Sequence, residues 1–245
     1  MSNENKVAIV TGGSRGIGAA IAERLASDGF TVVVNYAGSA GEAEALVAKI
    51  EADGGKAIPA RADVSDAGSV ARMFDAAEAA FGGVDVVVNN AGIMKLAPIA
   101  ESDDALFDSQ VAVNLKGTFN VLRQAAKTLR TGGRIINLSS SVVGLLQPGY
   151  GVYAGTKAAV EAMTHVLSKE LRGRNITVNA VAPGPTATAL FLNGKPQELV
   201  DTIAMLAPLE RLGQPEDIAG AIAFLAGPDG AWINGQVLRA NGGII

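Results

Sequence analysis

Near its amino terminus the chain reads Val7-Ala8-Ile9-Val10-Thr11-Gly12-Gly13-Ser14-Arg15-Gly16-Ile17-Gly18, and this stretch decides the fold. Four consecutive apolar residues predict a strand that other elements cover on both faces. The glycines that follow predict a tight turn, and a helical pattern begins directly after it. A strand, a glycine turn and a helix in this order are typical of a unit that binds the phosphates of a dinucleotide.

The same alternation of strands and helices continues along all 245 residues. Apolar runs predict seven strands, at 7–10, 31–34, 57–58, 84–88, 134–138, 176–181 and 236–238. Helical patterns lie between these runs, at 16–28, 40–52, 67–81, 103–130, 152–172 and 216–226. The alternation predicts an α/β fold: a single doubly wound Rossmann-type domain over residues 1–245, with a seven-stranded parallel sheet and helices on both faces.

One segment interrupts this alternation. Residues 185–215 contain four prolines and a helical patch at 197–206. The segment follows the sixth predicted strand at the carboxyl edge of the sheet, where open α/β sheets bind their ligands. We therefore predict an inserted substrate loop that covers a ligand, with an ordinary surface excursion as the alternative.

Composition excludes several classes of function. The net charge is −4 with a pI near 5.1, and no block of like charges indicates a surface for nucleic acid or an anionic membrane. Cysteine is absent and His165 is the sole histidine, which argues against disulfides, thiol nucleophiles and a metal site. Residues 2–6 are polar, unlike a signal peptide, and no apolar run reaches the roughly 18 residues of a membrane span. We expect a cytoplasmic protein.

The glycine turn carries the first functional prediction. Gly12, Gly16 and Gly18 let the backbone approach a pyrophosphate, and the N-terminus of the following helix offers unpaired N–H groups and the positive end of the helix dipole. The spacing Gly-x3-Gly-x-Gly differs from the G-x-G-x-x-G fingerprint, so a purely structural turn is the alternative.

The second strand bears on the choice of cofactor. An acidic residue is expected there, about 20 residues past the glycines, when NAD is preferred. Residues 34–39 contain no carboxylate, whereas Arg15 can face a 2′-phosphate and Asn35 and Ser39 can donate hydrogen bonds to it. NADP(H) is therefore the predicted cofactor and NAD(H) the alternative. The other interpretation of Arg15 is a solvated surface charge.

Tyr153 and Lys157 carry the predicted chemistry. They are four residues apart on a predicted helix and so project from the same face. An ammonium about 4 Å from the phenol would favour the phenolate by roughly 4 kcal/mol, which would lower the pKa of Tyr153 by up to about 3 units before desolvation opposes it. Tyr153 is thus predicted to transfer a proton to or from a substrate oxygen.

Taken together, these motifs resemble the short-chain dehydrogenase/reductase (SDR) family. The resemblance extends from Lys6 to the Asn241-Gly242-Gly243 tail and rests on residues 11–18, Asn89-Asn90-Ala91-Gly92, Asn114, Ser140, Tyr153-x3-Lys157 and Pro183-Gly184. It implies an oxidoreductase that moves a hydride between NADPH and a carbonyl carbon. The catalytic residues that it implies are Asn114, Ser140, Tyr153 and Lys157.

The resemblance also implies roles for these residues. Ser140 hydrogen-bonds the substrate oxygen; Ser141 is the alternative, because successive side chains of a strand alternate in direction. Lys157 also holds the hydroxyls of the nicotinamide ribose. Asn114 holds a water for proton relay with the lysine, and a hydrogen bond within the core is the alternative. His165 has no matching role.

The implied cofactor contacts extend beyond the glycine turn. Asp63 and Val64 resemble the pair beside the adenine ring, and a helix cap is the alternative for Asp63. The full set of predicted contacts is Gly12, Ser14, Arg15, Gly16, Ile17, Gly18, Asn35, Tyr36, Ser39, Asp63, Val64, Asn90, Ala91, Gly92, Tyr153, Lys157, Pro183, Gly184, Thr186 and Thr188. No metal is predicted.

The chain most resembles 3-oxoacyl-[acyl-carrier-protein] reductases and neighbouring general reductases. The expected substrate is a ketone, either a 3-oxoacyl thioester or a small carbonyl compound. The alternatives are oxidation of a sugar, polyol or other alcohol, and a dinucleotide sensor without catalysis. Arg174 matches one carrier-docking position, and Arg130 lies close to another, where this chain has Thr131. The alternative is that Lys169, Arg172 and Arg174 are solvated helix-end cations.

Two further features concern the pocket and the assembly. Met94 and Leu96 follow the Asn-Asn-Ala-Gly motif and line a substrate pocket or pack in the core. The family usually forms homotetramers or homodimers, and the apolar pairs Trp232-Ile233 and Ile244-Ile245 would suit burial against another subunit.

Overall fold

Seven parallel strands form one sheet in the order β3-β2-β1-β4-β5-β6-β7. The computed structural model describes residues 6–245; residues 1–5, which include most of the polar segment unlike a signal peptide, lie outside the described range. The strands are β1 Val7–Val10, β2 Thr31–Tyr36, β3 Lys56–Arg61, β4 Val86–Asn89, β5 Arg134–Leu138, β6 Thr177–Pro183 and β7 Val237–Ala240. The predicted α/β class and the parallel sheet are confirmed.

Ten α-helices within the described range connect or flank the strands. They are α1 Gly16–Ser27, α2 Ala40–Ala52, α3 Ala67–Phe81, α4 Asp104–Gln110, α5 Thr118–Thr128, α6 Val142–Leu145, α7 Gly151–Glu170, α8 Ala189–Leu192, α9 Gln197–Ala204 and α10 Pro215–Ala226. None of the helices in residues 6–245 has both the length and the apolar composition that a membrane span needs.

The two faces of the sheet bury separate apolar layers. Along β1, Ala8 and Val10 face the layer under α1, α2 and α10, whereas Val7 and Ile9 face the layer under α3, α5 and α7. Because side chains of a strand alternate in direction, a continuous apolar run is what a strand covered on both faces requires. The helices α1 and α10 pack together through residues that include Ile222, which is fully buried.

The strand order places a crevice at the centre of the sheet. β1 pairs with β2 on one side and with β4 on the other, so the direction of winding reverses there. In open α/β sheets ligands bind outside the carboxyl ends of the strands at this switch point. The loops after β1 and β4, which carry the glycine turn and the Asn-Asn-Ala-Gly motif, therefore lie side by side.

The helix expected over 103–130 is interrupted. Residues Val111–Gly117 form a π-helical segment between α4 and α5, with Asn114 near its middle. π-Helical insertions are rare and occur frequently at functional sites. Thr118 donates its hydroxyl to the Asn114 carbonyl oxygen at 2.7 Å, which gives that carbonyl a side-chain partner in this segment. Periodicity alone does not separate a helix of this kind from an uninterrupted one.

The segment after β6 leaves the sheet and returns to the same place. Thr186 and Gly213 form an isolated parallel bridge, and the Gly213 N–H donates to the Pro185 carbonyl oxygen at 2.9 Å. The residues between these two points include α8 and α9, so the predicted helical patch at 197–206 corresponds to Gln197–Ala204. The ends of the loop are thus held to each other, while its middle is free to lie over the edge of the sheet.

Candidate active site

The glycine turn leaves room for a phosphate and offers amide groups to it. Gly12 and Gly16 have φ angles of 59° and 55°, in the left-handed region that favours glycine. A Cβ on Gly18 would lie 2.2 Å from the Gly12 carbonyl oxygen, so a larger residue does not fit. The first turn of α1 contains no acidic side chain and presents N–H groups that lack intrahelical acceptors. These features fit the pyrophosphate of a dinucleotide.

Two amide side chains hold the turn in place. Asn90 donates from Nδ2 to the carbonyl oxygens of Thr11 at 2.9 Å and Gly12 at 3.0 Å, and the N–H groups of Asn90 and Ala91 both donate to Thr11 Oγ1. Asn35 accepts from the Gly12 N–H at 3.1 Å and donates to two carbonyl oxygens at the end of β3. The prediction that the Asn35 side chain donates to a 2′-phosphate is therefore wrong, because both N–H groups of its amide already have carbonyl acceptors.

Arginine side chains occur near the end of β2, where a 2′-phosphate would be recognised. The Arg15 guanidinium is exposed and makes no hydrogen bond or ion pair within residues 6–245. Ser39 precedes α2 without a side-chain capping bond, and Tyr36 packs against the core. Arg61 pairs with Tyr36 in the sheet register and donates to the Ala37 carbonyl oxygen at 3.4 Å. Arg61 is a second cation at this edge that a search along β2 alone does not find.

Asp63 and Val64 follow the end of β3. The Asp63 carboxylate accepts from the Ser65 N–H at 2.9 Å and the Ser65 hydroxyl at 2.8 Å, and Val64 is buried. Asp66 is the residue that caps α3, accepting from two backbone N–H groups of its first turn. The alternative role of Asp63 as the helix cap is therefore excluded.

A cavity of about 180 Å³ opens beside these loops. Its lining contains predicted catalytic and cofactor residues, namely Ile17, Asn90, Gly92, Ser140, Tyr153, Lys157, Pro183, Gly184, Thr186 and Thr188. Met94 also lines the cavity, whereas Leu96 is partly exposed outside it. The loop after β6 adds four apolar side chains, Leu190, Phe191, Ile203 and Leu206.

The three consecutive serines after β5 have different partners. Ser139 donates to the Glu161 carboxylate at 2.6 Å, and Ser141 donates to a main-chain carbonyl oxygen of β6 at 3.2 Å. Ser140 instead forms a hydrogen bond with the Tyr153 hydroxyl, in the cavity. Alternation along the chain therefore leaves Ser140 as the serine whose hydroxyl is available beside the phenol.

Burial dominates the acid–base properties of the tyrosine and the lysine. It raises the pKa of Tyr153 to about 12, opposed by the hydrogen bond with Ser140. It also lowers the pKa of Lys157 to about 8. The Lys157 Nζ lies 5.8 Å from the centroid of the Tyr153 ring. Desolvation, which was expected to oppose the lowering of the phenol pKa by the ammonium, is the larger effect in this site.

Asn114 and Lys157 approach each other around Gly92. The Asn114 side chain exchanges two hydrogen bonds of 2.8 Å with the backbone of Ile93. Lys157 donates from Nζ to the Leu138 carbonyl oxygen at 2.7 Å. A Cβ on Gly92 would lie 3.3 Å from Asn114 Oδ1 and 3.6 Å from Lys157 Nζ. The structure thus brings the predicted Asn114 to the Asn-Asn-Ala-Gly turn and to the lysine.

The residues after β6 reach back to the glycine turn. A Cβ on Gly16 would lie 3.5 Å from the methyl carbon of Thr188, so the start of the substrate loop faces the start of α1. The Thr188 hydroxyl accepts from the Phe191 N–H at 3.3 Å, and the buried Thr186 donates its hydroxyl to the Gly184 carbonyl oxygen at 2.9 Å. Both threonine hydroxyls thus have partners within the loop.

The chain was compared with known families and proteins. The sequence model of a family described as "Enoyl-(Acyl carrier protein) reductase" matches residues 12–245. A "Short-chain type dehydrogenase/reductase" of Picea abies is 47% identical, over 97% of this chain and 92% of the relative. This chain belongs to the short-chain dehydrogenase/reductase family. Membership confirms the resemblance and the prediction of an NAD(P)-dependent oxidoreductase.

Two further SDR proteins are close in sequence or structure. A chloroplastic "NADPH-dependent aldehyde reductase-like protein" of Arabidopsis thaliana is 46% identical, over 98% of this chain and 94% of the relative. The crystal structure of a short-chain dehydrogenase from Burkholderia cenocepacia J2315 in complex with NADP superimposes with a TM-score of 0.94 at 38% identity, covering 100% of this chain and 99% of that one.

The two candidate carrier-docking arginines are engaged inside the fold. The Arg174 guanidinium donates to the carbonyl oxygens of Ala126 and Leu129. Arg130 forms an ion pair with Asp85 at 2.9 Å. Neither guanidinium is thus a freely solvated cation, and the alternative of a solvated helix-end charge is wrong for Arg174.

Sequence reasoning missed several residues of the cavity. Gln147 and Tyr150 line it from the segment before α7, and Ile244 lines it from the carboxyl-terminal tail. Tyr150 precedes Tyr153 by three residues, and this helical spacing could have indicated a shared face. No local signal marks Ile244, because only tertiary packing returns the tail to the active site. His165 is exposed on α7 and is not among the lining residues.

The buried ammonium of Lys157 should lower the stability of the folded protein at neutral pH. Its pKa falls from 10.5 to about 8, a cost of about 3 kcal/mol to the folded state at pH 7. Between pH 8 and 10.5 the folded chain releases this proton while the unfolded chain keeps it, so wild-type stability rises with pH. Lys157→Met, which has no charge to bury, should therefore be more stable than wild type at pH 7 by about 1–3 kcal/mol, with the difference shrinking towards pH 10.

Denaturant unfolding of both proteins at pH 7, 8.5 and 10 measures this difference. Lys157→Arg is the control that keeps a charge and should show no stabilisation at any of these pH values. A Lys157→Met variant that is less stable than wild type by the same amount at every pH would contradict the prediction.

Proposed function

We propose that this SDR protein is an NADPH-dependent reductase of small aldehydes or ketones, with Tyr153 as the proton donor. The observation that carries the proposal is the phenol itself. It lies in a mainly apolar cavity beside Ser140, and burial raises its pKa to about 12. The phenol is therefore protonated at neutral pH and holds the proton that carbonyl reduction consumes.

The dinucleotide site supports NADPH as the cofactor. NADPH, when bound, supplies the hydride that reduces the carbonyl carbon. The amide groups at the start of α1 would hold its pyrophosphate, and Arg15 and Ser39 would hold its 2′-phosphate. No carboxylate occurs in residues 34–39 to repel that phosphate. The NADPH-dependent Arabidopsis relative and the NADP complex of the Burkholderia dehydrogenase support the same cofactor.

The other predicted catalytic residues support the proton transfer. Ser140 can donate a hydrogen bond to the substrate oxygen as negative charge develops on it. Lys157, with a pKa of about 8, is mainly protonated at pH 7 and stabilises negative charge on the phenol after it gives up its proton. Asn114 lies behind the lysine and is proposed to hold a water that returns a proton from solvent.

The cavity supports a free carbonyl compound over a carrier-bound thioester. Carrier docking relies on exposed cations at the mouth of the site, whereas Arg174 and Arg130 are engaged within the fold. The apolar side chains of the substrate loop suit a small hydrophobic substituent. The raised pKa of Tyr153 disfavours alcohol oxidation, because that direction needs the phenolate.

The assembly and the substrate loop remain predictions as well. Trp232 is 97% exposed, and a second copy in a homodimer or homotetramer would cover it. Ile244, in contrast, lines the cavity of its own chain, so the tail is better explained by the active site than by a subunit contact. We propose that residues 185–215 form the inserted substrate loop of a single domain.

The initial rate of NADPH oxidation with propanal, 2-butanone and an acetoacetyl thioester tests the function. We expect turnover of the aldehyde or the ketone at a higher kcat/KM than the thioester, and a slower rate with NADH. Faster turnover of the thioester would restore the 3-oxoacyl reductase assignment. If the protein only reduces NADP with sugars or polyols, a dehydrogenase is favoured. If it shows no turnover in either direction, a dinucleotide sensor is favoured.

Tyr153→Phe removes only the hydroxyl and tests the proton donor. We expect kcat for carbonyl reduction to fall by about 10²- to 10⁴-fold, because general acid catalysis contributes on this scale. NADPH binding, followed by fluorescence titration, and the melting temperature should change little, since the ring remains. Full turnover by Tyr153→Phe at saturating NADPH would contradict the assignment of Tyr153 as the proton donor.

Arg15→Ala tests the phosphate contact. We expect KM for NADPH to rise roughly tenfold, the equivalent of about 1.4 kcal/mol, with KM for NADH unchanged. Arg61→Ala should act in the same direction by a smaller factor, since this side chain already donates to a backbone carbonyl. Arg24→Ala, at the other end of α1 in an ion pair with Asp28, is the matched control. An unchanged NADPH-to-NADH preference in Arg15→Ala rules the contact out.

A further inference from the structure

Most polar side chains that line the cavity outside the catalytic group are already engaged. The hydroxyls of Ser139, Ser141 and Thr186 donate to acceptors within the protein. The Thr188 hydroxyl accepts at the start of α8, and the Asn90 amide donates to the glycine turn. Within residues 6–245, two lining side chains remain without a hydrogen bond, those of Gln147 and Tyr150.

Tyr150 is fixed in its position relative to the proton donor. It is the residue before α7, and its carbonyl oxygen accepts from the Ala154 N–H at 2.8 Å. It precedes Tyr153 by three residues, so the two rings leave neighbouring points on one face of the helix. The two phenols are close enough to interact electrostatically. Partial burial raises the pKa of Tyr150, and its hydroxyl is therefore a neutral donor at physiological pH.

We infer that Tyr150 is a specificity-determining residue, which donates a hydrogen bond to a second oxygen of the substrate while the reacting carbonyl oxygen is held by Ser140 and Tyr153. The substrate class is then an aldehyde or ketone that carries another carbonyl or hydroxyl close to the reacting carbon. This inference rests on the proposed function. The inference requires the substrate to carry a hydrogen-bond acceptor near Tyr150. The rest of the cavity wall on the substrate side is mainly apolar and includes Met94, Leu190, Phe191 and Leu206.

The physical basis is the cost of an unpaired polar group. A simple aldehyde would bury the Tyr150 hydroxyl without offering it an acceptor, whereas a vicinal dicarbonyl compound would satisfy it. Reduction of such a compound still consumes one hydride from NADPH and one proton from Tyr153. One C=O becomes an alcohol, and the other, held by Tyr150, is left unchanged.

The experiment compares wild type with Tyr150→Phe on matched probes. The probes are 2,3-butanedione and 2-butanone, which share a carbon skeleton, together with propanal. We expect Tyr150→Phe to lower kcat/KM for 2,3-butanedione by about twofold to tenfold, the effect of one uncharged hydrogen bond, mainly through KM. For 2-butanone and propanal kcat/KM should stay the same or rise, because these probes offer the Tyr150 hydroxyl no acceptor and the variant leaves no unpaired group.

The other possible results contradict either the role of Tyr150 or the proposed function. An equal change with all three probes, or none, overturns the role of Tyr150 and leaves the proposed function standing. A selective loss in Gln147→Leu and not in Tyr150→Phe overturns the assignment to Tyr150. If wild type consumes NADPH with none of the probes, the proposed function fails and the inference fails with it.

Discussion

A chain of side-chain amides and hydroxyls at the carboxyl ends of the central strands ties the cofactor side of this protein to its catalytic helix. Asn35 and Asn90 hold the glycine turn from both sides. Asn89 receives a long hydrogen bond from Thr11 and makes another to Asn137, which donates to Thr164 of α7 at 2.8 Å. Buried polar groups in such a network are costly unless each is satisfied, so the network permits few alternative arrangements. The turn and α7 therefore keep a fixed relation, and the active site lies between them.

Burial sets the protonation states of the two titratable side chains in the active site. Burial favours the neutral forms of Tyr153 and Lys157. It therefore raises the pKa of the phenol and lowers the pKa of the ammonium. A phenol with a raised pKa stays protonated at neutral pH and so holds the proton that the proposed reduction needs, while being a weaker acid than free tyrosine. The same burial makes the lysine a cost to the folded state, so the site gives up stability for chemistry.

The substrate side of the cavity has a different origin. Many of its apolar side chains come from the loop after β6 and from the tail, and the polar side chains without a hydrogen bond within residues 6–245, Gln147 and Tyr150, come from the short segment between β5 and α7. None of these segments belongs to the sheet, so their composition can vary without altering the frame that holds the cofactor. This separation places the proposed specificity residue Tyr150 in a segment that can change without disturbing the cofactor side.

The sequence by itself determined the α/β class, five helices (α1, α2, α3, α7 and α10) to within a few residues, and the positions of the glycine turn and the Tyr153/Lys157 pair. These features depend on local periodicity and on residue types whose chemistry is fixed by spacing along one element. Only the tertiary structure decided which of three serines meets the phenol, that Asn35 holds the turn instead of a phosphate, and that Arg174 and Arg130 already have partners within the protein. It also decided that a π-helical segment carries Asn114 and that Ile244 reaches the cavity. Each of these depends on which distant groups compete for a hydrogen bond or for space, and the linear order of residues does not record that competition.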